Sequence, residues 1–175
     1  WPNIYCGVLV FPLLPLYIMQ KKIPIRQKAA KLILLAFILI SFSTNTLNFI
    51  WHGLNYPDSL PARQSFLYIF LVLTMCFEAS LYIKEQSRTE IMNVFLSILF
   101  FILLLEKIIT DDAFTGVSFL VTGIFLICYG ILIHIYRNQE KMTKQLAIIA
   151  IILVVVETGF NTYLTSCSTV SRTTY

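Results

Sequence analysis

This sequence is unusually poor in charge. Asp, Glu, Lys and Arg make up 13% of its 175 residues, whereas hydrophobic residues make up 58%; soluble domains typically carry about 25% charged residues. So little charge cannot cover a folded surface with groups that water solvates, and a mean hydropathy of +0.79 agrees. A water-soluble domain is therefore excluded, and the chain is predicted to be an integral membrane protein.

Cysteine and histidine are also too few to indicate a metal site. The four cysteines and two histidines show no Cys-x-x-Cys or Cys/His spacing. Cys76 and Cys128 fall inside apolar stretches and are expected to be small packing residues. Cys6 and Cys167 are both expected near the outer face, which leaves a disulfide between them open. No cofactor is evident, and a requirement for a divalent metal is left open.

The few charges lie in short gaps between six apolar stretches. Each stretch is near the ~20 residues that cross a ~30 Å hydrocarbon layer as a helix, and a lipid-embedded backbone must satisfy its own hydrogen bonds. The predicted fold class is all-α, a polytopic membrane helix bundle of about six transmembrane helices over residues 1–164. Pro12 and Pro15 predict a kink or break in the first helix. The stretches are residues 4–20, 32–51, 65–83, 91–105, 113–136 and 145–164.

The basic residues alternate between the two sides of the membrane. Ten of the 13 Lys and Arg residues fall in the gaps at 21–31, 84–90 and 137–144. The other three are Arg63, Lys107 and Arg172. The positive-inside rule places the basic gaps in the cytoplasm and the alternate gaps and the tail outside. The net charge of +4 thus reflects orientation in the membrane, and no nucleic acid is expected as a partner.

The two ends look like cuts through a longer polypeptide. The chain opens on Trp1 with no charged region or cleavage site typical of a signal peptide. It ends in a polar run, residues 165–175, which is expected to begin an extracytoplasmic segment. An even number of spans places both ends outside a plasma membrane.

Polar residues inside two stretches predict a cavity that opens outward. Ser41, Asn45, Asn48 and His52 have spacings of four, three and four, so they are expected to share one helical face. Glu157 and Asn161, four residues apart, repeat this pattern in the last stretch. Hydrogen bonding between helices is the alternative for the asparagines. An embedded Glu157 indicates function more strongly, because ionisable residues in a membrane are costly.

Three further features have two readings each. Arg63 precedes an apolar run at the outer interface, where its guanidinium could bind a lipid phosphate or merely extend to the interface. Asp111 and Asp112 are expected to lie at a helix N-terminus, a metal or base role being the alternative. Embedded Glu78 is expected to pair with Lys84 or with another span.

The glycines of the fifth stretch, seven residues apart, predict a helix-packing seam; they are Gly116, Gly123 and Gly130.

One segment resembles the hallmark of a known family. Residues 45–73 read NTLNFIWHGLNYPDSLPARQSFLYIFLVL, an Asn-rich turn followed by a WHG-type motif, a proline loop and an Arg-x-Ser-Phe helix start. This resembles the bacterial YfhO family of membrane proteins, most specifically over residues 45–66. PNIYCG at 2–7, VVETGFN at 155–161 and VSRTTY at 170–175 extend the resemblance over nearly the whole chain. The family's full proteins are several times longer.

The resemblance implies part of a GT-C-like glycosyltransferase. Such enzymes move a sugar from a polyprenyl-phosphate carrier at the outer face of the bacterial plasma membrane to an envelope polymer, here teichoic or lipoteichoic acid of Gram-positive bacteria. Their acidic catalytic residue usually lies in the first outer loop, so the catalytic residue is expected outside this chain. Asp58, Asp111 and Asp112 do not match that position. Arg63 and His52 are the candidates for binding the carrier phosphate.

Two other classes of function are left open. A transporter or flippase would also show embedded Glu and Asn residues with kinked spans, although the sequence shows no inverted repeat. A scaffold for envelope assembly would need no outward cavity. Its signature would be Asn48 and Glu157 facing lipid or dry contacts.

Overall fold

The computed structural model describes residues 4–51, 53–55, 64–109, 116–139 and 143–166. Over these ranges the chain forms seven α-helices and no strand, which confirms the predicted all-α fold. The helices are α1 (Val10–Met19), α2 (Ile25–Ser43), α3 (Asn45–Trp51), α4 (Ser65–Leu81), α5 (Arg88–Ile108), α6 (Gly116–Asn138) and α7 (Lys144–Ser166). Of the predicted extracytoplasmic segment, only residues 165 and 166 are described, as the end of α7.

Within the described residues, three helices are long and apolar enough to cross a membrane. They are α5, α6 and α7, with 21, 23 and 23 residues, or roughly 31–35 Å at 1.5 Å per residue. At most 17% of the residues in their candidate spans are buried within the protein, so most of their apolar side chains are free to contact lipid. α1 and α4 are shorter apolar helices. The chain is a polytopic membrane helix bundle, and the total of six spans stays a prediction.

The chain divides into two compact units, Trp1–Val94 and Phe95–Tyr175. In the first unit, α1 packs mainly against α4. The two helices bury apolar stripes at helical spacing, and Leu16, Tyr17, Val72, Met75 and Ala79 are completely shielded from solvent. This contact is the core of the first unit.

The first apolar stretch is helical only in its second half. Residues 4–7 are not helical, Gly7 has φ 101°, and α1 begins at Val10. Pro12 lies in the first turn, where no N–H donor is needed, whereas Pro15 lies inside the helix and removes a donor. With 10 residues, α1 rises only about 15 Å. The irregular backbone lies before α1, and the helix continues through both prolines; the prediction of a break at Pro12 and Pro15 is therefore wrong.

The second apolar stretch is two helices instead of one. α2 ends at Ser43 because Thr44 is extended (φ −110°, ψ 114°), and α3 starts at the next residue. α2 also begins earlier than predicted, at Ile25 after Pro24. The expected loop 21–31 is therefore mostly helix. Two of its lysines, Lys28 and Lys31, lie on α2, and each has a partner on α1 or α4.

The second unit is organised around α6. This helix packs against α7 and buries Gly123, Leu126, Tyr129 and Ile133. Its glycines face α5: a Cβ added at Gly123 would lie 3.7 Å from a methyl group of Leu99, and one at Gly130 would lie 3.3 Å from the ring of Phe95. The predicted packing seam is thus present at both positions.

Candidate functional site

Glu157 is buried against α6. Its side chain is 4% exposed, whereas the three residues before it on α7 are about half exposed or more. The phenolic hydroxyl of Tyr129, itself 1% exposed, donates a hydrogen bond to Oε2 of Glu157. This contact offsets the cost of placing a carboxyl group among apolar helices. The protein therefore holds the carboxyl group in a fixed position, in contact with another helix.

Asn161 lies one turn beyond Glu157 on α7 and is partly buried. Both residues thus lie on a polar stripe of an otherwise apolar helix, as their spacing predicts. Sequence reasoning identified Glu157 but missed Tyr129. A tyrosine in an apolar stretch is usually a packing residue, and nothing in the sequence marks its partner 28 residues away.

Polar residues also cluster where α2 ends. Ser41 is fully buried, and its Oγ accepts a hydrogen bond of 3.1 Å from the indole N–H of Trp51 on α3. A continuous helix would separate these two residues by about 15 Å along its axis. The chain therefore turns back at Thr44, and the prediction that Ser41 shares one helical face with Asn45 and Asn48 is wrong.

Irregular backbone at membrane depth is tolerated only where protein covers it or where it lines a wet cavity. The break at Thr44 immediately precedes the two asparagines of the predicted cavity. The backbone of Asn45 and Asn48 belongs to α3, and their side chains lie outside what the structure describes. These residues belong to the first unit and Glu157 and Asn161 to the second, so their approach to one another stays a prediction.

Gln64 is a buried polar residue that the sequence did not indicate. It precedes the first residue of α4 and is 2% exposed, and within the described residues neither its amide nitrogen nor its amide oxygen has a hydrogen-bond partner. Buried polar side chains are usually paired, so an unpaired amide calls for an explanation. It follows Arg63 directly in the sequence, at the start of the span after the proline loop.

Five of the predicted residues lie outside the described part of the chain. His52 and Arg63, the candidates for binding the carrier phosphate, are among them, and their roles stay predictions. The same holds for the helix-capping role of the acidic pair and for the disulfide to Cys6. The remaining residues of this set are Asp111, Asp112 and Cys167. Among the described cysteines, Cys76 and Cys128 are free thiols.

Glu78 pairs with another span, one of its two predicted arrangements. Its carboxylate lies 2.5 Å from Nζ of Lys31 on α2, and the amide of Gln27 donates to both carboxylate oxygens at 3.1 Å. Lys28, also on α2, donates to the carbonyl oxygen of Ile18 near the end of α1 at 2.7 Å. These bonds tie α2 to α1 and α4 at the end expected in the cytoplasm, so this cluster is best explained as structural.

No group of three or more His, Cys, Asp or Glu residues that could hold a metal ion occurs in the described ranges. The chemistry available there is that of the buried, hydrogen-bonded carboxyl group of Glu157 and of the buried amide of Gln64. Such groups bind polar ligands through hydrogen bonds.

Taken together, long apolar helices, a broken helix and a buried carboxyl group define a polytopic integral membrane protein with polar groups inside its helical units. The family model described as bacterial membrane protein YfhO matches residues 1–175, and the chain belongs to this family. No curated protein and no solved structure matches the chain.

Proposed function

We propose that this chain is part of a membrane glycosyltransferase that moves a sugar from a polyprenyl-phosphate carrier to a cell-envelope polymer such as lipoteichoic or teichoic acid. Membership of the YfhO family over the whole chain, together with the GT-C-like character that the hallmark segment implies, is the observation that carries the proposal. The plasma membrane of a Gram-positive bacterium is the expected location.

Arg63 is the proposed ligand of the carrier phosphate. In the transfer, a hydroxyl oxygen of the acceptor bonds to the anomeric carbon as the bond from that carbon to the phosphate oxygen breaks. The phosphate leaves with the bonding electron pair, and the acceptor proton passes to a base expected elsewhere in the full-length protein. A planar guanidinium offers two parallel N–H donors to the departing phosphate and stabilises its charge. His52 would donate a further hydrogen bond or orient the acceptor.

The polar cavity is proposed to hold the hydrophilic part of the substrate in the membrane. Asn45, Asn48, Glu157 and Asn161 are its proposed lining. Amide and carboxyl groups suit sugar hydroxyls because each hydroxyl both donates and accepts hydrogen bonds. Glu157 is buried in a contact with Tyr129, which is the dry contact expected of an assembly scaffold, so the proposed lining role rests on the polar stripe that Glu157 forms with Asn161.

Variants of Arg63 test the proposal in cells that make the full-length protein. Arg63→Lys keeps the charge but loses the planar fork, so sugar incorporation into the envelope polymer should fall. Arg63→Ala should lower it further. Lys107→Ala is the matched control, because Lys107 is an exposed cation with the same predicted outer location but lies outside the hallmark segment. Wild-type incorporation with Arg63→Ala at equal protein level would contradict the proposed role of Arg63.

A transporter or flippase is the second candidate, favoured by the break between α2 and α3. Transporters often build their binding sites from discontinuous helices. A flippase would move the carrier across the membrane and leave the bond between sugar and phosphate intact, whereas a transferase would break it. Whether the protein breaks the bond between sugar and phosphate therefore distinguishes a transferase from a flippase.

A further inference from the structure

Two polar side chains lie uncovered on one face of α5. Asn93 and Ser97 are four residues apart, so they share a face of this helix, and both are exposed. We call this pair the polar strip. Phe95, which packs against α6, is two positions from Asn93 and therefore lies roughly 200° around the helix. The polar strip is thus on the opposite side of α5 from the contact with α6.

The polar strip lies within the apolar part of α5. The helix begins at Arg88, so Asn93 is about 7.5 Å and Ser97 about 13.5 Å further along its axis. Both fall inside the predicted apolar stretch 91–105. The hydrocarbon layer contains no water that could bond to these side chains. Their hydrogen-bond partners must therefore come from protein.

The amide of Asn93 requires partners that its own helix does not supply. It carries two N–H donors and a carbonyl acceptor, and within the described residues the side chains of Asn93 and Ser97 form no hydrogen bond. The hydroxyls of Thr122 and Thr158, by contrast, donate to carbonyl oxygens four residues earlier at 2.7 and 2.8 Å. Exposed apolar side chains on a membrane helix are satisfied by lipid, whereas an exposed amide is not. The polar strip therefore indicates contact with another helix.

A second copy of this chain supplies a matching helix. All copies insert in the membrane with the same orientation. Two α5 helices that meet at a two-fold axis along the membrane normal therefore run parallel, and each residue faces its counterpart at the same depth. An asparagine amide both donates and accepts, so it can pair with its own copy, and a residue as small as Ser97 lets two helices approach closely. The embedded carboxyl groups of Glu78 and Glu157 already have partners.

We propose that α5 is a dimerisation helix, which packs in parallel against α5 of a second copy of this chain. The amides of the two Asn93 side chains hydrogen-bond to each other across the two-fold axis. Ser97 lies one turn further along the same contact. The apolar residues that continue this face, Phe100 and Leu104, are 64% and 42% exposed and extend the contact toward the outer side.

Subunit counting and cross-linking test the proposal without altering Asn93. Single-molecule photobleaching of the fluorescently labelled full-length protein in dilute liposomes should show two subunits. In a cysteine-free protein, Ser97→Cys should form a disulfide-linked dimer on oxidation with copper phenanthroline. Met92→Cys should not, because Met92 is 55% exposed but lies outside the proposed contact. A single subunit would mean that another helix of the same full-length protein covers the polar strip, and it would overturn the proposal. A dimer in which Met92→Cys cross-links as well as Ser97→Cys would also overturn it.

Variants of Asn93 then test the hydrogen bond itself. Asn93→Leu should raise the dissociation constant of the dimer about tenfold, the effect of one side-chain bond between membrane helices. Asn93→Gln keeps the donors and the acceptor and should retain most of the affinity. Asn138→Leu is the control, because Asn138 is an exposed asparagine on α6. An unchanged dissociation constant with Asn93→Leu, or an equal increase with Asn138→Leu, would contradict the assignment. Sugar transfer plays no part in these measurements, so their result is independent of the proposed function.

Discussion

The hydrogen bond between Tyr129 and Glu157 yields a prediction with a magnitude. Tyr129→Phe removes only the hydroxyl and leaves the carboxyl group without this donor. Hydrogen bonds to charged groups contribute about 1.5–3 kcal/mol in soluble proteins, and side-chain bonds between membrane helices average about 0.6 kcal/mol and reach about 1.7. Because Tyr129 is 1% exposed and Glu157 is 4% exposed, we expect a value near the upper membrane limit, about 1.5 kcal/mol.

A double-mutant cycle measures this energy. The variants are Tyr129→Phe, Glu157→Leu and the double variant, and the free energy of unfolding is measured for the full-length protein in bicelles. Each single change leaves one polar group without this partner, whereas the double change removes both groups. The free energy of unfolding should therefore fall less in the double variant than the sum of the falls in the two single variants. Tyr163→Phe is the control, because Tyr163 is 64% exposed on α7. A coupling energy below about 0.3 kcal/mol, within the error of additivity, would refute the reasoning.

Three further predictions concern packing, burial and topology. Gly130→Ala should destabilise the protein by about 1 kcal/mol because its new methyl group crowds α5, whereas Gly123→Ala should be neutral or stabilising; equal effects on unfolding would contradict the described seam. Gln64→Leu should raise the free energy of unfolding by about 1–3 kcal/mol by removing a buried unpaired amide, and a loss of stability would mean that the amide has a partner. In a cysteine-free protein in intact cells, a membrane-impermeant thiol reagent should label Asn55→Cys but not Arg26→Cys. Labelling of Arg26→Cys would overturn the predicted orientation.

The longer helices could be predicted closely from the sequence. α4 begins at Ser65, the first residue of its predicted stretch, and α5, α6 and α7 begin and end within about three residues of theirs. The reason is physical: charged residues mark where a helix leaves an apolar environment, and the length of each apolar stretch is set by the membrane.

The break at Thr44 and the early start of α2 could not be predicted in the same way. The run Ser41–Asn45 is compatible with a helix or a turn, and the contact of Trp51 with Ser41, which accompanies the turn, is tertiary. Charge alone predicts a loop at Lys28 and Lys31. Their partners, a carbonyl oxygen on α1 and Glu78 on α4, are distant in sequence and allow them to lie on the helix.

The candidate site was only partly predictable for the same reason. Glu157 was identifiable because a carboxyl group inside an apolar stretch is costly. Tyr129 and Gln64 were not, because their significance depends on which atoms have partners after folding. A sequence indicates residue types, whereas unpaired donors and acceptors are properties of the folded protein.

The fate of the bond between sugar and phosphate tests the central claim most directly. The purified full-length protein is reconstituted into liposomes with a polyprenyl-phosphate carrier bearing a radiolabelled sugar and with purified envelope polymer as acceptor. A glycosyltransferase predicts that the label leaves the lipid fraction and appears covalently attached to the polymer, and that Arg63→Ala reduces this transfer. If the label crosses the membrane still bound to its lipid phosphate and none reaches the polymer, the protein moves the carrier without breaking the bond, and the proposed activity is wrong.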